Sequence, residues 1–158
     1  GIVSFTHTGA FTSTSAVDLV TISGLLIAVT QAIRITLNAR KASGAASWVA
    51  LGLKINTTVV CEAANLSEGT VWASTSTNEN QFGAATLVIP PRSANYLRCA
   101  TGYYAVFNTA CIFQGGSGPL QTADMPNATI TSIAIRGICG NALNTLGVKD
   151  VLIEAMDI

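Results

Sequence analysis

The chain has 158 residues and a formal net charge of zero, with 49% hydrophobic residues but only 10% charged residues. An average soluble domain has about 25% charged residues, so much of this surface carries no ionic group. The chain has no excess of basic residues, which argues against nucleic acid as a partner. It also contains no run of about 18 apolar residues, so we expect no membrane span.

The composition favours a single domain that associates with copies of itself. The length is typical of one domain, and no linker-like segment divides the chain. Neutral proteins with few charges tend to associate, although a small secreted domain with a Ser/Thr/Asn surface is the alternative. We expect an N-terminal strand or arm, residues 1–15, followed by a single β-sandwich domain, residues 16–158. Residues 1–15 contain no charged side chain, which suits an arm that reaches a neighbouring copy.

The first part of the chain is typical of short β-strands. Residues 2–8 and 17–22 are the first two predicted strands. Ile33, Ile35 and Leu37 then alternate with polar residues, which indicates a strand with one face in water. Period-2 alternation after residue 32 and many β-branched residues favour strand over helix there.

The middle of the chain continues the pattern. Residues 40–47 form a predicted polar turn, and residues 49–55 and 59–61 are predicted strands. Ala50 and Gly52 occupy the second face of the strand at 49–55, where small side chains allow another layer or subunit to approach closely. The polar segment that follows is expected to contain one short strand near Trp72.

The remaining strands are separated by proline- and glycine-rich turns. A strand is expected to stop at Pro90, because proline lacks the donor that a sheet ladder needs. Strands are predicted at residues 84–89, 94–100, 103–107, 130–136 and 148–153. Turns or loops are predicted at residues 101–102, 114–126 and 137–147.

This arrangement predicts an all-β fold. Turn signals recur at short intervals along the whole chain, which is typical of an antiparallel sandwich or barrel of about eight to ten strands. The one alternative concerns residues 23–37, whose apolar positions partly fit a helical period.

No catalytic, cofactor-binding or metal-binding site is indicated, so we do not expect an enzyme. The single histidine, His7, has no neighbour in the sequence suited to proton relay, and nucleophile and phosphate-binding motifs are absent. Asp150 and Glu154 have the even spacing that places two carboxylates on one face of a strand, but we expect them to be surface charges at the rim of the sheet rather than a catalytic pair. The chain is expected to need no cofactor.

Two aromatic residues suggest a weaker alternative, the binding of a glycan. Trp72 lies in the polar middle segment, and Tyr104 lies beside a second tyrosine in a predicted strand, so either ring could stack on a sugar. Burial in the core or at a subunit contact is the competing interpretation of both residues.

The four cysteines lack the close spacing of zinc or redox sites. Cys99 and Cys111 flank the predicted strand at 103–107 and form a candidate disulfide. Four cysteines permit three pairings, and buried free thiols are the alternative.

The order of several segments resembles jelly-roll structural proteins of tailed bacteriophage virions, of the kind that decorate heads or form fibres and tail appendages. The segments that carry the resemblance are residues 18–22, 33–40, 53–56, 87–91, 130–135 and 144–151. The resemblance implies a jelly-roll β-sandwich on a virion surface. It also implies association with copies of itself, as a homotrimer or a higher assembly, and with other virion proteins.

Two other roles remain open. The chain could be a subunit of a cellular extracellular filament, in which residues 5–19 complete the sheet of a neighbour by strand addition. It could instead be a carbohydrate-binding module. All three roles imply a virion or extracellular location.

Overall fold

The computed structural model contains eleven β-strands in its described residues. Antiparallel pairing joins every neighbouring pair of strands for which a register is defined. The structure describes residues 2–5, 12–42, 48–61, 72–74, 81–92, 101–107, 111–115 and 123–157, of which 2–5, 42, 72–74, 81–83, 85, 101–107 and 111–115 are described for the backbone alone. The strands are β1 (Ile2–Phe5), β2 (Val17–Ile27), β3 (Ala32–Ala42), β4 (Val49–Ile55), β5 (Thr58–Cys61), β6 (Trp72–Ser74), β7 (Gln81–Ile89), β8 (Thr101–Phe107), β9 (Cys111–Gly115), β10 (Ile130–Cys139) and β11 (Thr145–Met156).

The strands form two sheets with the connectivity of a jelly roll. The six-stranded sheet has the order β1-β11-β3-β7-β8-β9, and the other has the order β2-β10-β4-β5, with β6 also pairing with β4. Without β6, β8 and β9, eight strands remain in two sets of four, and the chain changes sheet at nearly every step. Two such sheets define a jelly roll, so the predicted all-β antiparallel sandwich is confirmed.

The core lies between the sheets and follows from the alternation along each strand. Ile33, Ile35 and Leu37 of β3 are buried, while Arg34 and Asn38, at alternate positions of the same strand, are exposed. Side chains on successive strand residues point to opposite faces, so the sequence pattern alone selects the inward face. Both faces of β4 are buried, because Ala50 and Gly52 are buried as well as their apolar neighbours.

Several predicted boundaries were wrong because ladder pairing extends strands through residues that favour turns. The turn predicted at 40–47 begins too early, since β3 continues to Ala42. The predicted turn at 101–102 belongs to β8, and its residues pair with β7. The loop predicted from residue 114 also begins too early, since β9 ends at Gly115.

The connection predicted at 137–147 is shorter, because β10 reaches Cys139 and β11 begins at Thr145. Gly137 lies in the strand for a packing reason. A Cβ atom at this position would lie 2.7 Å from Cδ2 of Leu146 and would also overlap the side chain of Leu19. Residues 23–37 contain no helix, since β2, a short turn and β3 occupy them.

The N-terminal strand β1 pairs with β11 of its own chain at the edge of the six-stranded sheet. The predicted strand at 94–100 lies outside the described residues, as does His7.

Candidate assembly surface

The two ends of the sandwich differ in structure, and each is named here after one residue. The Arg92 end contains the β2–β3 turn (residues 28–31), residues 90–92 after β7, residues 124–129 before β10, and Asp157 after β11. The Leu143 end contains residues 12–16 before β2, Trp48 before β4, and residues 140–144 between β10 and β11.

Arg92 connects three segments of its end and is only 4% exposed. Its backbone N–H donates to the carbonyl of Val29 at 2.7 Å. Its guanidinium Nη2 donates to the carbonyl oxygens of Ala28 at 3.1 Å, Ala128 at 3.3 Å and Ile27 at 3.4 Å. These bonds fix the β2–β3 turn against the segment that leads into β10.

The Arg92 guanidinium bonds to backbone carbonyls and, in the described part of the chain, makes no ion pair with a carboxylate. Its Nε and Nη1 atoms are buried and have no hydrogen-bond partner there. Burial lowers the pKa of Arg92. A buried cation with this geometry is a structural tie between loops, and its position places it out of contact with solvent.

Asn56 is a second tie at the Arg92 end and occupies the turn between β4 and β5. Its Oδ1 accepts hydrogen bonds from the backbone N–H groups of Thr131, at 2.8 Å, and Ser132, at 3.3 Å. Its Nδ2 donates to the carbonyl of Thr129 at 3.1 Å. The residue has a φ of 52°, a left-handed conformation that asparagine tolerates better than most residues. Asn56 therefore holds the start of β10 against the neighbouring hairpin.

A third tie joins the β2–β3 turn to the end of β11. Oε1 of Gln31 accepts a hydrogen bond from the backbone N–H of Ala28 at 2.9 Å. Nε2 of the same amide donates to Oδ1 of Asp157 at 3.0 Å. The loops of the Arg92 end are therefore held in one arrangement by side chains from four segments.

Three large apolar side chains at this rigid end are exposed to solvent. Leu26 is 84% exposed, and Val88 and Met156 are each 41% exposed. The strand β2 is at the edge of its sheet, and its pairing with β10 shifts register between Ser23 and Ile27. The shift, with Gly24 at a φ of 74°, leaves Leu26 outside while Leu25 and Ile27 are buried.

The Leu143 end also presents an exposed leucine on an ordered turn. Leu143 is 68% exposed, and its N–H donates to Oδ1 of Asn141 at 2.8 Å. The N–H of Asn144 donates to the carbonyl of Asn141 at 3.0 Å. The N–H of Gly140 donates to the carbonyl of Trp48 at 2.8 Å, which anchors the turn to β4.

Polar side chains are buried beneath the turn at the Leu143 end. Lys41, Cys139 and Asn144 are all almost completely buried. Burial lowers the pKa of Lys41, although the nearby Cys139 opposes the shift. Burial also raises the pKa of the Cys139 thiol, and Lys41 opposes that shift.

Ion pairs on the outer faces of the sheets compensate several charges. On the five-stranded sheet, Asp18 accepts from Lys54 Nζ at 3.0 Å and also pairs with Arg136. Burial alone would raise the pKa of Asp18, but hydrogen bonds and charges of Lys54 and Arg136 outweigh it and lower the pKa.

On the six-stranded sheet, Arg34 forms a two-point ion pair with Glu154, in which Nη2 donates to Oε1 at 2.9 Å. The hydrogen bond from Arg34 lowers the pKa of Glu154. Asp150 instead accepts a hydrogen bond from Asn38 at 3.4 Å, so the two carboxylates considered as a pair have different partners.

The residues predicted for glycan binding lie on strands of different sheets. Trp72 is in β6, which pairs with β4, whereas Tyr104 is in β8 of the six-stranded sheet. Only the backbone of these two residues is described, so stacking on a sugar remains a prediction. The predicted disulfide between Cys99 and Cys111 stays a prediction. Only the backbone of Cys111, in β9, is described, and Cys99 lies outside the described residues.

No group of three or more His, Cys, Asp or Glu side chains suited to a metal ion occurs within the described ranges. Those ranges also contain no helix that is long and apolar enough to cross a membrane.

No family model matches the chain, and no curated protein matches it. Nineteen chains among the solved structures do match. An alginate lyase from Aplysia kurodai is 8% identical, with a TM-score of 0.47 and coverage of 85% of this chain and 72% of that one. Lectin II from Ulex europaeus is 11% identical, with a TM-score of 0.46 and coverage of 98% and 87%.

A third match is the CBM2 module of the evolved Dit of Lactobacillus casei BL23 phage J-1, at 13% identity, a TM-score of 0.34, and coverage of 87% of this chain and 70% of that one. At such low identities and TM-scores the matches carry no argument about what this chain does. The fold assignment rests on the strand order instead.

Proposed function

We propose that this chain is a self-assembling structural protein of a phage-like virion surface, of the decoration, fibre or minor capsid type. It acts by binding copies of itself and other virion proteins and has no catalytic role. The observation that carries the proposal is the 84% exposure of Leu26 at an end of the sandwich whose loops are held by buried and interlocking hydrogen bonds.

An exposed leucine on a rigid loop end favours a protein contact. Burial of apolar surface contributes about 25 cal/mol per Å², and a rigid partner loses little entropy on association. Arg92, Asn56 and Gln31 order the Arg92 end before any partner arrives. The apolar surface is therefore already arranged for contact.

The charge distribution supports copies of the same chain as the partner. The formal net charge is zero, and compensated pairs such as Arg34–Glu154 and Asp18–Lys54 occupy the outer faces. Identical neutral subunits experience no net repulsion when they approach each other. The jelly roll, which occurs in viral capsid domains, and the resemblance of the strand segments to phage virion proteins support the virion setting.

Light scattering and negative-stain electron microscopy of concentrated protein test the proposal. We expect regular closed or extended particles built from many copies. Arg substitution at Leu26 should prevent their formation, while Arg substitution at Thr21, an exposed position of the same strand, should not. Monomers at every concentration would contradict the proposal.

The rival functions give different results in the same material. Filaments that dissolve when residues 1–12 are deleted would favour strand addition, in which part of residues 5–19 would pair with a neighbouring copy. A monomer that binds sugars on a glycan array, and loses them on Trp72→Ala or Tyr104→Ala substitution, would favour a carbohydrate-binding module.

A further inference from the structure

We draw no further inference here: the strongest candidate, the exposed apolar patch of Leu26, Val88 and Met156 at the Arg92 end of the sandwich, belongs to the surface already described, and nothing in the structure shows what covers it.

Discussion

Nη2 of Arg92 lies 3.1 Å from the carbonyl oxygen of Ala28 and donates a hydrogen bond to it across 64 residues of sequence. The same nitrogen reaches the carbonyl of Ala128, so one buried side chain joins the β2–β3 turn to the segment before β10. This tie sets the shape of the end from which Leu26 projects. The exposed leucine and the buried arginine are therefore parts of one arrangement.

Replacement of Arg92 by alanine should destabilise the fold and disorder the Arg92 end. The carbonyls of Ile27, Ala28 and Ala128 would lose their donor, and a cavity would remain. We expect a loss of about 3 kcal/mol in the free energy of unfolding, measured by urea denaturation. Arg92→Lys keeps a cationic donor and should lose less, and equal stability of Arg92→Ala and the unsubstituted chain would contradict this role.

Gly137→Ala should destabilise the sandwich by about 1–3 kcal/mol, because an added methyl group overlaps a packed core. The new Cβ would lie 2.7 Å from Leu146 Cδ2, with the Leu19 side chain also in the way. Gly24→Ala is the matched control, since open space surrounds that position and only its φ of 74° opposes a side chain. That control should cost about 1 kcal/mol. Thermal melting would compare the two, and a larger loss for Gly24→Ala would contradict the packing.

The free energy of unfolding should decrease at acid pH, in part because Asp18 becomes protonated. Lys54 and Arg136 hold its pKa below the ordinary value of 3.8 in the folded state, against the opposing effect of burial. The stabilisation is therefore fully present above the unfolded pKa and is lost as the pH falls through the folded pKa. We expect a contribution of about 1 kcal/mol to the free energy of unfolding, since the pair is partly exposed.

Urea titrations from neutral pH into acid would measure this contribution, with Asp18→Asn as the control. The variant should be less stable at neutral pH and should lose less stability on acidification. An acid profile unchanged by Asp18→Asn would show that other carboxyls account for the whole loss.

The buried thiols should resist alkylation in the folded protein. Burial raises the pKa of Cys61 to about 12 and also raises that of Cys139, so almost no reactive thiolate forms near neutral pH. Iodoacetamide followed by peptide mass spectrometry should leave both unlabelled until denaturant is added. Rapid labelling of Cys61 in the native state would contradict its burial.

The same experiment tests the predicted Cys99–Cys111 disulfide. With that bond present, the denatured chain should accept label at two cysteines before reduction and at all four afterwards. Label on four cysteines without reduction would show that the bond is absent.

The fold could be predicted from the sequence because its signals are local. Alternation at Ile33, Ile35 and Leu37 belongs to β3 itself, and Pro90 follows directly on the last residue of β7. Gly137 was assigned to a connection because glycine favours turns, yet here the need for close packing against Leu146 retains it in a strand. Such packing depends on residues distant in the sequence and leaves no local signal.

The candidate surface was largely hidden from sequence analysis. Leu25, Leu26 and Ile27 are three consecutive apolar residues, and only the irregular pairing of β2 with β10 decides which one is exposed. No local sequence pattern predicts the burial of Arg92, because the side chain is buried by loops that are distant from it in the sequence. The low charge content did indicate association, but it could not locate the surface.

Sedimentation equilibrium of the unsubstituted chain over a wide range of concentration tests self-association most directly. We expect the average mass to exceed the 16.3 kDa of one chain and to rise with concentration. A mass that stays at 16.3 kDa at the highest concentration would show that Leu26 and its rigid surroundings serve no contact between copies.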